Sequence, residues 1–159
     1  HKTLDLKERV HMDNRILQVW NPIKNVLSGI PNMSLSDGPQ GLIIVLKDFQ
    51  GTEVKVIYDE KSQLSDWVWA YRNTAEIGRT DLAQLVDDAY KKETNLPKKV
   101  FVFFKMVNSD YIAWYDSLGS ISTRTFPNAE HHLYMHNDGV LEIICDYEPR
   151  FIVNKNSLT

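Results

Sequence analysis

From Gly41 onward, apolar residues recur at every second position on either side of compact turns. This alternation restricts the fold more than any other feature, because only an extended chain brings every second residue to one face. In "GLIIVLKDFQGTEVKVIYDE" the turn has Asp48 first and Gly51 last, residues preferred at the two ends of a type I turn. In the second limb Val54, Val56 and Tyr58 alternate with Glu53, Lys55 and Asp59, so one face is buried and the other wet. "HHLYMHNDGVLEIICDYEP" repeats the design around Asn137, Asp138 and Gly139. With a three-residue loop and Gly139 in the left-handed position, His136 faces Val140, Met135 faces Leu141, Tyr134 faces Glu142 and His132 faces Ile144. That register collects Leu133, Met135, Leu141, Ile143 and Cys145 on a core face. His132, Tyr134, His136 and Glu142 form an outer, half-exposed face.

The remaining elements follow from period and punctuation. "DNRILQVWNPIKNVLSGIP" reads as a helical segment over 13–29 with a restart at Asn21-Pro22. "DWVWAYR" reads as a strand with Trp67, Trp69 and Tyr71 on one face and Arg72 on the other. "TDLAQLVDDAYKKETNLP" is a helix capped by Thr80, with Leu82, Leu85, Val86, Ala89 and Tyr90 as its apolar stripe and Pro97 beyond its end. "KKVFVFFKMV" is a strand apolar on both faces and therefore central. "SDYIAWYDSLG" is a short helix capped by Ser109, and 120–130 is a loop. The expected class is α+β: a mainly antiparallel sheet of about six strands, made of two hairpins and two further strands. An N-terminal helical segment and two further helices pack on it. One domain is expected over 1–159, with its core in 42–153 and residues 1–12 an added or unordered segment.

Composition narrows the function. The chain has 159 residues, 18 Lys and Arg against 21 Asp and Glu, and a formal charge of −3, a balance unlike that of a nucleic-acid binder and suited to a basic protein partner. The longest apolar run, Leu42 to Leu46, is far short of a membrane span, and the opening residues lack the apolar stretch of a secretory signal. With one cysteine, Cys145, a cytoplasmic location is expected. Signatures of phosphate-binding loops, nucleophile elbows, dinucleotide turns and zinc helices are all missing from the sequence, which favours a non-enzymatic role with no cofactor.

Three groups remain as candidates. His131, His132 and His136 crowd into "AEHHLYMHND". On a strand His132 and His136 share a face about 13 Å apart, and His131 points the other way, so zinc bonds of about 2 Å cannot join them. No metal site is expected. Glu142 beside them is expected to raise the pKa of His132 and His136. Trp67, Trp69 and Tyr71 form an aromatic ladder that is either core or a recognition surface. Arg72, opposite the ladder, needs a carboxylate if it is buried, and Glu76 is nearest in sequence. Cys145, on the core face without a cationic neighbour, is expected to be inert.

The pieces "GTEVKVIYDE", "VWAYRNTAE", "VNSDYIAWYDSLG", "HHLYMHNDGVLEII" and "DYEPRFIV", taken in order, resemble a group of small bacterial proteins that act as immunity partners of toxins or as other accessory binding domains. The resemblance spans about 42–153 and implies a protein-binding function of the immunity type, without carrying over any functional residue. The competing expectation is a small enzyme or ligand-binding module with a dispersed site of His132, His136, Glu142 and Arg72.

Overall fold

A computed structural model of the chain describes residues 13–24, 26–93 and 100–155. Within these, the strands are β1 (Ile16–Val19), β2 (Asn32–Gly38), β3 (Gly41–Lys47), β4 (Glu53–Tyr58), β5 (Ala70–Ala75), β6 (Phe103–Val107), β7 (Glu130–His136), β8 (Gly139–Cys145) and β9 (Arg150–Asn154). The helices are α1 (Ala83–Lys91) and α2 (Asp110–Asp116). The class is α+β, but the strands form two sheets rather than one of six strands. Sheet A runs β1-β6-β7-β8-β5 and sheet B runs β2-β3-β4-β9, with every neighbouring pair antiparallel.

The sheets pack face to face. Leu42, Ile44, Leu46, Val54, Val56 and Tyr58 of sheet B meet Phe103, Tyr134, Leu141, Ile143 and Cys145 of sheet A. The other face of sheet A is covered too. Leu82, Leu85 and Ala89 lie over Leu17, Phe104, Met106, Leu133 and Val140, and Tyr111 of α2 joins Trp69 over Ile144. Sheet A is therefore the middle layer of three. This double coverage explains why every residue of β8 is buried and why "VLEIIC" is almost continuously apolar.

The N-terminal helical segment is not formed. Residues 16–19 are instead strand β1, which pairs with β6 from Ile16 opposite Val107 to Val19 opposite Phe104 and buries Leu17. Three apolar residues in a stretch of four are compatible with either period, and pairing with β6 decides for the strand. Residues 20–24 and 26–31, across the expected restart at Pro22, are irregular.

The first hairpin forms as the alternation predicts, with Gly51 N donating to Asp48 O at 3.1 Å. The second keeps its strands and changes its register. Asn137 and Asp138 alone make the turn, so His136 pairs with Gly139, Tyr134 with Leu141, Leu133 with Glu142 and His132 with Ile143. Gly139 serves the neighbouring strand rather than the loop: a Cβ built there would lie 2.0 Å from the carbonyl oxygen of Thr74 on β5. Glu142 therefore turns to the helix-covered face of sheet A, away from His132 and Tyr134.

Ser109 caps α2 as expected, accepting from Ile112 N at 3.0 Å. Thr80 does not cap α1; it lies in a 3-10 turn, Thr80–Leu82, that leads into the helix. Pro97 lies outside the described residues. No helix among them is long and apolar enough to cross a membrane.

Candidate functional site

The aromatic ladder breaks because the strand begins only at Ala70. Trp67 packs toward the layer between the sheets and sends its indole N–H to Gly38 O at 2.9 Å, whereas Trp69 packs toward α2 and donates to Asp146 Oδ2 at 3.0 Å. Trp69 is buried and Tyr71 is exposed. All three nevertheless line one open cleft of about 490 Å³ at the edge of β5. Tyr111 and Trp114, three residues apart on α2, enter the same cleft with their rings stacked at 5.6 Å. The sequence reading missed this pair, although an i, i+3 spacing of aromatics on a short helix is its visible signal.

Polar groups in the cleft are few. Tyr71 OH donates to Asp37 Oδ2 at 3.2 Å, and burial together with that carboxylate pushes the phenol above its usual pKa. Asp66 lies on the rim. The Arg72 guanidinium sits 3.9 Å from the centre of the Tyr111 ring, whose hydroxyl burial pushes up to about 12.

Behind the cleft, Arg72 meets Glu142 rather than Glu76. Its Nε donates to Oε2 at 2.7 Å and its Nη2 to Oε1 at 3.2 Å. Arg79 Nη1 donates to Oε2 as well, at 2.6 Å, and His131 Nε2 to Oε1 at 3.0 Å. Burial opposes ionisation of Glu142, but these hydrogen bonds, led by His131, hold its carboxyl far below the usual range. Because a carboxylate only accepts, His131 carries its hydrogen on Nε2 and accepts at Nδ1 from Ser109 Oγ, 2.7 Å away. Ser109, His131 and Glu142 are the residue types of a nucleophile, a base and an acid. Glu142 is at the same time bound by two guanidinium groups, and the Ser109 oxygen is engaged as the α2 cap.

On the opposite face of sheet A, His132 belongs to a second chain. Its Nε2 donates to Glu130 Oε1 at 3.3 Å, so Nδ1 accepts from Tyr58 OH at 2.7 Å, and Tyr134 OH donates to Tyr58 at 2.6 Å. Lys105 bonds both Glu130, at 3.0 Å, and Glu148, at 2.6 Å, and carries the chain to the surface. Burial outweighs Glu130 and lowers the pKa of His132, the reverse of the expected rise. Hydrogen bonding from His132, with that from Lys105, draws Glu130 down to about 2, and burial raises Tyr58 and Tyr134 well above the usual phenol value. The Trp20 ring packs against that of His132, centres 4.7 Å apart and planes tilted by 30°. The three rings of this chain tie sheet B to sheet A through fully satisfied hydrogen bonds.

His136 stands apart from both chains. It donates from Nε2 to Asn73 Oδ1 at 2.7 Å, accepts at Nδ1 from Asp138 N at 3.3 Å, and burial lowers its pKa. The half-exposed histidine stripe is thus replaced by three buried rings, 1%, 0% and 6% exposed for His131, His132 and His136. Of the four residues of the dispersed site, only Arg72 and Glu142 meet. Cys145 is buried, and that burial pushes its thiol up to about 12. Among the described residues no group of three or more His, Cys, Asp or Glu is arranged to hold a metal ion. No protein-family model, curated protein or solved structure matches this chain, so any functional reading rests on the geometry.

Proposed function

We propose that the chain is a non-enzymatic protein-binding domain of the immunity type, acting in the cytoplasm to neutralise a bacterial toxin, and that the aromatic cleft beside β5 is its recognition surface. The observation that carries this reading is the convergence of Trp67, Trp69, Tyr71, Tyr111 and Trp114 from separate segments onto one open cleft rimmed by Asp37 and Asp66. Large aromatic rings supply most of the energy at protein interfaces, because they bury much apolar area with few rotors to immobilise. The rim carboxylates and the formal charge of −3 suit a basic partner. The Arg72 guanidinium is tied to Glu142 rather than free in the cleft.

The test is protection of cells from a toxin encoded beside this gene. The wild-type chain restores growth, whereas Trp114→Ala and Asp37→Asn fold normally and lose protection. A wild-type chain that gives no protection, or variants that protect equally well, would overturn the reading.

A further inference from the structure

The cleft crosses a free sheet edge. β5 pairs with β8 on one side and, among the described residues, with no strand on the other. Glu76 N, one residue past β5, donates to Asp138 O. Bonding alternates along an antiparallel pair, so Arg72 and Thr74 turn their amides and carbonyls to β8, while Tyr71, Asn73 and Ala75 turn theirs outward. Those outward groups take no hydrogen bond from elsewhere in the described chain. Tyr71, Asn73 and Ala75, whose main chain faces outward, include no lysine and no proline, and Arg72, the charged residue of the strand, is tied to Glu142.

Successive side chains of a strand laid on this edge would meet different walls. On the side of Tyr71 stands Asp37, a carboxylate within hydrogen-bond distance of the phenol. On the side of Arg72 stand Tyr111 and the half-exposed ring of Trp114. We infer that β5 accepts an extended segment of the protein partner as a sixth strand of sheet A, with cationic side chains toward Asp37 alternating with apolar ones laid on Trp114. Main-chain bonds to the edge would supply affinity, and the two walls would supply specificity. The inference rests on the cleft being a protein-recognition surface and adds the mode of recognition and the chemistry of the segment recognised.

The probe is a capped octapeptide of alternating lysine and valine, titrated into the isotopically labelled full chain. The amides of Tyr71, Asn73 and Ala75 shift together and gain protection from hydrogen exchange. Binding weakens about tenfold when alternate peptide amides are N-methylated, when glutamate replaces lysine, or in Ala75→Pro. That last variant removes one outward donor at a residue whose φ of −64° already suits proline, so its melting temperature stays at the wild-type value. The inference is overturned by undetectable peptide binding, by shifts confined to β2 or β9, or by an N-methylated peptide that binds as well as its parent. It is also overturned by a β5 edge already protected in a dimer of this chain. Growth protection that survives Ala75→Pro but not Trp114→Ala removes strand addition and leaves the recognition surface standing.

Discussion

His131 Nε2 lies 3.0 Å from Glu142 Oε1 on the helix-covered face of sheet A, and that one contact anchors a carboxylate to which Arg72 and Arg79 also bind. Removing the carboxylate leaves Arg72 without its carboxylate partner and Arg79, only 11% exposed, with Asp81 as its remaining carboxylate. Glu142→Ala is therefore expected to cost about 3–5 kcal/mol, the range for one partner removed from a buried ion pair. Urea denaturation with an unchanged slope measures it. A loss below about 1 kcal/mol would show that the arginines find solvent without hindrance.

The two low carboxyls set the acid limb of stability. Glu130, at about 2, and Glu142 sit below the ordinary carboxylate value in the fold, so their contribution is complete above about 4.3 and is lost as pH falls through the folded values. Stability is expected to drop steeply below about pH 4.3, and Glu130→Gln to flatten that slope. Denaturant midpoints between pH 5 and pH 2 check both, as an approximate window set by those values.

His132 and His136 act in a higher window. Burial lowers their folded pKa, so the unfolded chain takes up protons that the folded chain refuses, and stability declines as pH falls below about 6.5. Titration of the ring carbons by NMR should place both midpoints below that value. A midpoint above it for either ring would contradict the burial argument.

Tyr58 is the two-ended link of the inter-sheet chain and Tyr134 its terminus. Tyr58→Phe strands both the Tyr134 hydroxyl and His132 Nδ1, whereas Tyr134→Phe only removes a donor to Tyr58. The first is expected to cost about 2–3 kcal/mol and the second about 1, with the double variant less destabilised than the sum. A double-mutant cycle gives the coupling directly.

Two tryptophans of one cleft separate core from surface. Trp69 is 8% exposed, and Trp69→Ala is expected to cost about 3–5 kcal/mol through the cavity it leaves. Trp114 is 50% exposed, and Trp114→Ala is expected to change the melting temperature little. Thermal melts of the two variants, run side by side, decide the assignment.

Alternation and punctuation were sufficient for local structure. They place β3, β4, β7 and β8, the Ser109 cap, the helical stripe of Leu82, Leu85 and Ala89 and the central position of β6, because each depends on residues a few positions apart. Period 2 also states which residues share a face, and His132 with Tyr134 and His131 with Leu133 do so. What it cannot state is what lies over each face. Whether His132 meets water or Tyr58 depends on a second sheet, in which Tyr58 lies 74 residues away, and the partner of Arg72 is Glu142, 70 residues away, rather than Glu76. The register of the last hairpin follows the same logic, since Gly139 is required by the Thr74 carbonyl of a third strand and not by its own turn. Local pattern is carried by neighbours in sequence, whereas burial, and with it the shifted pKa values of His132, Tyr58 and Tyr134 and the aromatic cleft, is created by the layers that pack on top.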